Sequence, residues 1–327
     1  MRAEALPFAA FAGASLIWGT TFYVVRLGVA TVPPLWAAAL RLILASVLLL
    51  ALMAALRIRV PRGRVLGLTA LFGVLDFGVA FSLLYWAEQH VTGGVAATVF
   101  ATLPLLTAVL AWTIKLEVLS LRKLVGAIAS FAGVALMFAA ELQRDVPLAG
   151  LLAVLGAALA MAAGTIVLKR TPARPVVMTN AIGAAVGALV CVLGSFAMRE
   201  PHALPRTAAA WGPIVYLALA GSLGAFLLFT WVTRKWNATS ASMIFVVLPV
   251  LAMILDAATG TRVPSLAALA GALLVLAGVT VVLLAPNADA IPQLHPRPRA
   301  QRVRVPVVDV QAERAGPRPP SRVRARR

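Results

Sequence analysis

Two charged residues stand inside long apolar segments of the sequence. Asp76 is eleven residues into segment 65–87, and Arg41 is seven residues into segment 34–56. As helices, these segments would place the two residues about 16 Å and about 10 Å deep. A charge inside hydrocarbon costs about 2.5 to 3.5 kcal/mol and is usually kept for a reason. We expect Asp76 to exchange a proton or to form an ion pair, for which Arg41 is a candidate. Arg41 would otherwise recognise a carboxylate, extend to the membrane surface, or serve helix packing.

Two further carboxylates lie near the ends of apolar segments. Glu117 falls in a short joint between Lys115 and Arg122. A salt bridge within this joint would hold that end of neighbouring helices together, which makes Glu117 a candidate gate. Asp256 lies near the end of segment 238–258, where it either faces water or contributes to the same pathway as Asp76.

Prolines and aromatic residues complete the candidate site. Pro104 and Pro249 lie within apolar segments, and a proline inside a helix removes one backbone hydrogen bond at a cost of about 3 kcal/mol. We expect each to bend a helix that lines a cavity, with a packing kink as the alternative. Three aromatic residues are deep enough to form the cavity wall: Trp18, Phe100 and Phe245.

Catalytic and cofactor-binding motifs are not found in the sequence. His90, His202 and His295 are far apart and lack the spacing of metal ligands. There is no G-x-x-x-x-G-K-[ST] loop for ATP and no G-x-S-x-G elbow. The single cysteine, Cys191, excludes an intrachain disulfide. We therefore expect neither an enzyme nor a cofactor.

The composition indicates which structure must position these residues. Hydrophobic residues make up 61% of the 327-residue chain, charged residues only 12%, and the mean hydropathy is +0.95. Such values predict an all-α polytopic membrane protein, because segments of about 20 apolar residues cross a bilayer as helices. We predict ten transmembrane helices, at 7–25, 34–56, 65–87, 93–113, 122–140, 147–168, 175–197, 211–233, 238–258 and 264–285.

Basic residues between the segments predict the orientation. With the N-terminus inside, thirteen Lys and Arg fall in inner joints and five in outer joints, so both termini should be cytoplasmic. Residues 287–327 are rich in Pro and carry ten Arg. This composition predicts a disordered cytoplasmic tail. An anionic lipid or nucleic acid is the alternative partner, but the net charge of +18 does not indicate a nucleic-acid-binding domain.

The sequence repeats itself with an offset of 145 residues. The pattern F-x-x-L-P-x-L begins at Phe100 and again at Phe245. The same offset relates Trp86 to Trp231, and it also relates Gly126 and Gly133 to Gly271 and Gly278. Five helices per unit is an odd number of crossings, so the second unit must be inverted. We predict two inverted five-helix repeats, at 7–140 and 147–285, which is an architecture of secondary transporters.

These features together resemble the EamA-type transporters of the drug/metabolite transporter superfamily. The resemblance covers about residues 8–285 in two copies. It rests on Trp18-Gly19-Thr20-Thr21-Phe22, on Pro34 followed by Arg41, on Pro104 with Glu117 after it, and on the glycines of the fifth segment. The second copy departs from the pattern, because Arg262 stands where the offset of Glu117 falls.

The resemblance implies an alternating-access transporter in the inner cell membrane. The family typically exports small metabolites, commonly amino-acid-like compounds, or drugs, with proton coupling or exchange assumed. Two alternatives are a metabolite importer and a non-transporting membrane scaffold. The expected partners are a small-molecule substrate and the lipid bilayer. Proton binding and a homodimer stay open.

Overall fold

The computed structural model describes residues 2–142, 146–258 and 264–284. Helices dominate this part of the chain, and it contains no strand. The predicted tail, 287–327, and Arg262 lie outside the described residues, as does the side chain of Asp256. The all-helical prediction is confirmed for the described part.

The helices form long apolar spans, several of which are interrupted. The first half contains α1 (Arg2–Val29), α2 (Pro34–Ala55), α3 (Arg64–Phe72), the π-helix π1 (Gly73–Val79), α4 (Ala80–Ala87), α5 (Gly93–Phe100), α6 (Leu103–Thr113), α7 (Leu121–Met137) and α8 (Ala139–Leu142). The second half contains α9 (Leu148–Arg170), α10 (Val176–Ala197), α11 (Ala208–Tyr216), the π-helix π2 (Leu217–Ala225), α12 (Phe226–Lys235), α13 (Ala238–Ser242), α14 (Ile244–Ala258) and α15 (Leu266–Leu283).

Eight helical stretches of the described chain are long and apolar enough to cross a membrane. The other two predicted spans are shorter. The fifth corresponds to α7, whose 17 residues end at Met137. The ninth is interrupted at Met243 between α13 and α14, and its apolar stretch is Ala238–Ile254. Of the ten predicted membrane helices, eight are therefore confirmed as long apolar helices in the described part of the chain, and the fifth and ninth are not.

Interruptions also occur where the chain carries proline. The fourth span breaks between α5 and α6, and Pro104 stands in the first turn of α6. Proline fits there because the first helical turn has no intrahelical donor to lose. Pro249 lies inside α14. The two prolines therefore occupy different helix positions, although the sequence offset relates them.

The third and eighth spans each widen into a π-helix at corresponding positions. Adding 145 to residues 73–79 of π1 gives 218–224, which fall within π2. A π-helix is rare, and it often marks a functional position, since the wider turn displaces side chains from their α-helical direction. Asp76 lies in π1, and Gly221 and Ser222 lie in π2.

Helices α7 and α15 cross in close contact through glycine. A Cβ added to Gly126 would lie 2.7 Å from the carbonyl oxygen of Gly278, and one added to Gly133 would lie 2.6 Å from that of Gly271. Side chains are excluded there because the backbones touch. Between the two glycine contacts, the hydroxyl of Ser130 donates to a carbonyl of α15 at 3.3 Å.

Candidate functional site

A cavity lies between the spans of both halves. Helices α1, α2, α4 and α5 contribute residues from the first half, and α9, α12 and α14 contribute from the second. Its volume of about 50 Å³ is room for a few water molecules. The lining residues are Trp18, Thr21, Val25, Arg41, Phe81, Leu84, Tyr85, Glu88, Phe100, Met161, Phe226, Phe245 and Leu248.

Arg41 is the cation of this cavity, and its side chain is only 3% exposed. Its Nε donates to the hydroxyl of Ser222 at 2.8 Å, and its Nη1 donates to the hydroxyl of Tyr85 at 3.1 Å. The guanidinium carbon lies 4.6 Å from the ring centre of Phe81, a cation–π distance. These contacts hold Arg41 within the protein, so it does not extend to the membrane surface.

Aromatic rings form one wall of the cavity. The Trp18 indole stacks on Phe245 with ring centres 5.2 Å apart, and Phe100 meets Phe245 edge-on at 5.6 Å. The Trp18 Nε1 donates to the carbonyl of Gly221 at 3.2 Å, which fixes the indole against π2. The three aromatic residues predicted from depth therefore lie around one space.

The two prolines lie behind this wall. Neither Pro104 nor Pro249 is among the lining residues, and both are buried. Each follows a lining phenylalanine, Phe100 or Phe245, by four residues. A proline has no N–H for the carbonyl four residues earlier. The proline position therefore donates no backbone hydrogen bond next to the cavity wall in either span.

Asp76 is not among the residues that line the cavity, so it does not contact this space directly. Its side chain is fully buried in π1, and a Cβ added to Gly164 would lie 3.1 Å from its Cβ and Cγ. Neither carboxylate oxygen has a hydrogen-bond partner in the described part of the chain. The ion pair between Asp76 and Arg41 that the sequence suggested is not formed. Arg41 instead donates hydrogen bonds to Ser222 and Tyr85.

Hydrogen bonds join the connecting segments at one end of the bundle. Glu117, 5% exposed, accepts from the N–H of Ala238 at 2.5 Å and from the hydroxyl of Thr239 at 2.8 Å. The ammonium group of Lys169 donates to the carbonyl of Trp236 at 2.6 Å. Glu117 thus joins the end of the fourth span to the start of the ninth. These described bonds replace the salt bridge expected within the joint 115–122.

An apolar cluster lies behind these bonds. Its buried members are Ala111, Leu116, Ile166 and Ala238. They come from α6, the connection after it, α9 and α13, so the fourth, sixth and ninth spans meet there. Apolar contact and the Glu117 bonds together join these spans at one end of the bundle, which is called the Glu117 end below.

The structure adds residues to the site that were not among the candidates from the sequence. Glu88 follows the end of α4, a position that in the sequence indicates contact with water, but its side chain is 7% exposed and lines the cavity. Tyr85 is an aromatic candidate for the wall from its residue type alone, whereas Ser222 becomes noticeable only because Arg41 bonds to it. Phe226 contacts Trp18 with ring centres 4.9 Å apart. Polar residues are uncommon in these spans, so each of them is a candidate for the site. The sequence does not show which of them face the cavity, because that depends on how the helices pack.

Known proteins similar to this chain include proteins named as membrane transporters. The sequence profile of the EamA-like transporter family matches residues 7–139 and again residues 148–284. The uncharacterized inner membrane transporter YedA of Escherichia coli strain K12 is 30% identical over 261 residues, covering 79% of this chain and 84% of YedA. Protein PecM of Dickeya dadantii strain 3937 is 30% identical over 222 residues, covering 67% of this chain and 71% of PecM.

A solved crystal structure has the same fold. The TM-score is 0.70 at 19% sequence identity, and the matched region covers 87% of this chain and 98% of the solved chain. At this identity the likeness concerns the fold alone.

Proposed function

The chain belongs to the EamA-like transporter family, and on that premise we propose that it exports small metabolites of the amino-acid-like class, or drugs, across the inner membrane by alternating access. The observation that carries the proposal is the cavity containing Arg41, a buried guanidinium group between the two halves. A guanidinium group binds a carboxylate in a planar, two-bond geometry. The aromatic wall next to it suits an apolar side chain.

The size of the cavity supports a transport cycle with at least two conformations. A space of about 50 Å³ is too small for a metabolite larger than a few waters. Helices must therefore separate before a substrate enters. The fourth and ninth spans are both interrupted, and the proline in each removes one backbone donor. Fewer backbone hydrogen bonds then resist such a separation.

Two inverted five-helix repeats are part of the proposal, with boundaries at 7–140 and 147–285. The glycine contacts support it. Gly126 meets Gly278 and Gly133 meets Gly271, and the offset of 145 relates Gly126 to Gly271 and Gly133 to Gly278. Such reciprocal contacts arise when a two-fold axis relates two units. The paired π-helices support the same relation. Ten crossings would then place both termini on the same side of the membrane. The basic residues between the spans indicate that this side is the cytoplasm.

In this orientation the Glu117 end is cytoplasmic. The bonds of Glu117 to Ala238 and Thr239 then close the inner gate, and the cavity corresponds to a conformation that is shut toward the cytoplasm. Loading a substrate for export requires these bonds to break, together with the apolar cluster around Ile166. The gate would re-form once the substrate is bound, before the opposite side opens to release it.

Asp76 is proposed as the proton-carrying group. An ionised carboxylate without a partner is costly inside a membrane, so in this proposal Asp76 is protonated in the described conformation. Movement of π1 away from Gly164 would open a route for proton release. Without an ATP-binding motif in the sequence, a proton gradient would supply the energy for uphill export.

The test compares small molecules inside and outside cells that overproduce the protein. One culture carries the unmutated chain, a second carries Arg41→Gln, and a third carries Arg122→Gln, a control at an exposed position of α7. We expect one compound class to accumulate outside with the unmutated chain and the control, and not with Arg41→Gln. Equal profiles in all three cultures at equal membrane abundance would contradict the export proposal.

A further inference from the structure

A second cavity lies at the Glu117 end of the bundle and shares no lining residue with the first. It has a volume of about 310 Å³ and lies between the connection after α2 and the connection after α9. Arg59, Arg62 and Arg174 line it, together with the apolar residues Ile58, Val60 and Met178. It is called the basic pocket below.

The charge of the basic pocket is not balanced by its own lining. None of its lining residues is acidic, and residues 56–70 and 170–180 contain no Asp or Glu. Three guanidinium groups around one concave space repel one another, even though water weakens the repulsion. An anion that contacts all three would remove this repulsion and form charge-assisted hydrogen bonds.

Two helices begin at the basic pocket. Helix α3 begins at Arg64 and α10 begins at Val176, and neither start has a side-chain cap. The first N–H groups of a helix have no partner within the helix, and they carry the positive end of the helix dipole. These groups add to the positive potential that the arginines create, and they suit the oxygens of a phosphate.

The pocket also has an apolar part at the membrane boundary. Ile58 and Val60 lie three and five residues after the end of α2 at Ala55, so both are at the end of a membrane span. Val60 is 54% exposed. A ligand with a phosphate and an attached hydrocarbon chain would place the phosphate among the arginines and the chain along these residues.

Duplication of the chain does not explain the pocket. The offset of 145 carries residues 56–63 to 201–208, and that segment has different contacts. There, the carbonyls of Ala203 and Pro205 accept from the indole nitrogens of Trp36 and Trp211 at 3.1 Å and 3.0 Å. The three arginines are therefore a feature of one end of the bundle.

We propose that the basic pocket binds a phosphate anion, supplied by the headgroup of an anionic phospholipid. Arg59, Arg62 and Arg174 hold the phosphate oxygens, and Ile58 and Val60 contact the start of the acyl chains. The bound lipid joins the second, third and seventh spans at the membrane surface. Free phosphate has the same anionic chemistry but lacks the acyl chains, and the experiment separates the two sources.

The experiment measures lipid binding to the purified, delipidated full chain by native mass spectrometry. Phosphatidylglycerol is titrated against phosphatidylcholine, whose headgroup has no net charge, and inorganic phosphate is added as a competitor. The pocket variant carries Arg59→Gln, Arg62→Gln and Arg174→Gln. The control variant carries Arg57→Gln, Lys115→Gln and Arg122→Gln, which remove the same charge from exposed positions at the same end. The arginine-rich segment 297–327 is unchanged in every protein.

We expect the unmutated and control proteins to prefer phosphatidylglycerol, and the pocket variant to bind it at least about tenfold more weakly, since each basic residue near a membrane surface contributes about 1 kcal/mol. Equal losses in both variants would overturn the proposal, because overall charge would then explain binding. Displacement of the lipid by millimolar phosphate would overturn the lipid source and leave a free-anion site. All of these outcomes are read from lipid binding, so the test does not depend on whether transport changes.

Discussion

The Nε of Arg41 lies 2.8 Å from the hydroxyl oxygen of Ser222, and this hydrogen bond joins the second span to the π-helix of the eighth. The two residues are 181 positions apart in the chain. Together with the Tyr85 hydroxyl, Ser222 holds the guanidinium group in one orientation at the cavity. The proposed carboxylate site is therefore assembled from both halves of the chain.

Replacing Arg41 by lysine should reduce export at least about tenfold. Lysine keeps the charge but loses the planar donor pair, so it cannot hold Ser222, Tyr85 and a carboxylate in the same geometry. Initial export rates in proteoliposomes measure the effect. Arg122→Lys, at an exposed position, should leave the rate unchanged. An unchanged rate in Arg41→Lys would remove the guanidinium geometry from the mechanism.

Replacing Glu117 by glutamine should open the Glu117 end. The amide cannot replace the charge-assisted bonds to Ala238 and Thr239, which are worth about 1.5 to 3 kcal/mol each. Ile166→Cys, in a chain that also carries Cys191→Ala, reports opening through its reaction with a water-soluble thiol reagent. Labelling should rise about tenfold or more with Glu117→Gln and should not rise with Arg122→Gln. Equal labelling would show that other contacts close this end.

Replacing Asp76 by asparagine should uncouple export from the pH gradient. The side chains have nearly the same size, so the packing against Gly164 is kept while the exchangeable proton is lost. In proteoliposomes, acidifying the side that receives the substrate should accelerate export by the unmutated protein, because protons then move down their gradient as substrate leaves. The variant should show the same rate with and without the gradient. A retained response would assign the proton to another group.

Replacing Gly133 by alanine should destabilise the α7–α15 crossing by about 1 to 3 kcal/mol, the usual cost of overpacking. The added methyl group would lie 2.6 Å from the Gly271 carbonyl oxygen. Gly67→Ala is the matched control, since no atom lies within 4 Å of its added Cβ and alanine favours a helix by up to about 1 kcal/mol. Thermal unfolding in detergent should show a lower midpoint for Gly133→Ala alone. A lower midpoint for both would show that the loss of stability is not specific to the α7–α15 crossing.

Membrane insertion and the helical class follow from the sequence because hydropathy and length suffice to predict them. The interruption at Met243 does not follow, since neither proline nor glycine stands next to Met243 in the sequence. The π-helices were also not predicted. Their wider turns decide which way Asp76 and Ser222 face, and no simple periodicity reveals a π-helix.

The candidate site was also predictable from the sequence only in part. Depth in the sequence was enough to expect Trp18, Phe100 and Phe245 at similar levels, and the structure brings their rings together. Depth could not determine the partners of Arg41, because Ser222 and Tyr85 come from spans whose adjacency and rotation are set by packing. The Glu117 bonds to the ninth span were missed for the same reason: nearby charges in the sequence drew the prediction to Lys115 and Arg122.

The glycine crossing of α7 and α15 also bears on how such a chain can arise. A reciprocal contact requires a single surface, because each unit presents the same patch to the other. One ancestral segment with glycines at the right spacing would therefore have become self-complementary as soon as it was copied and joined in the opposite orientation. No second surface had to be evolved to match the first, and substitutions in either copy are thereafter limited by the backbone of its twin.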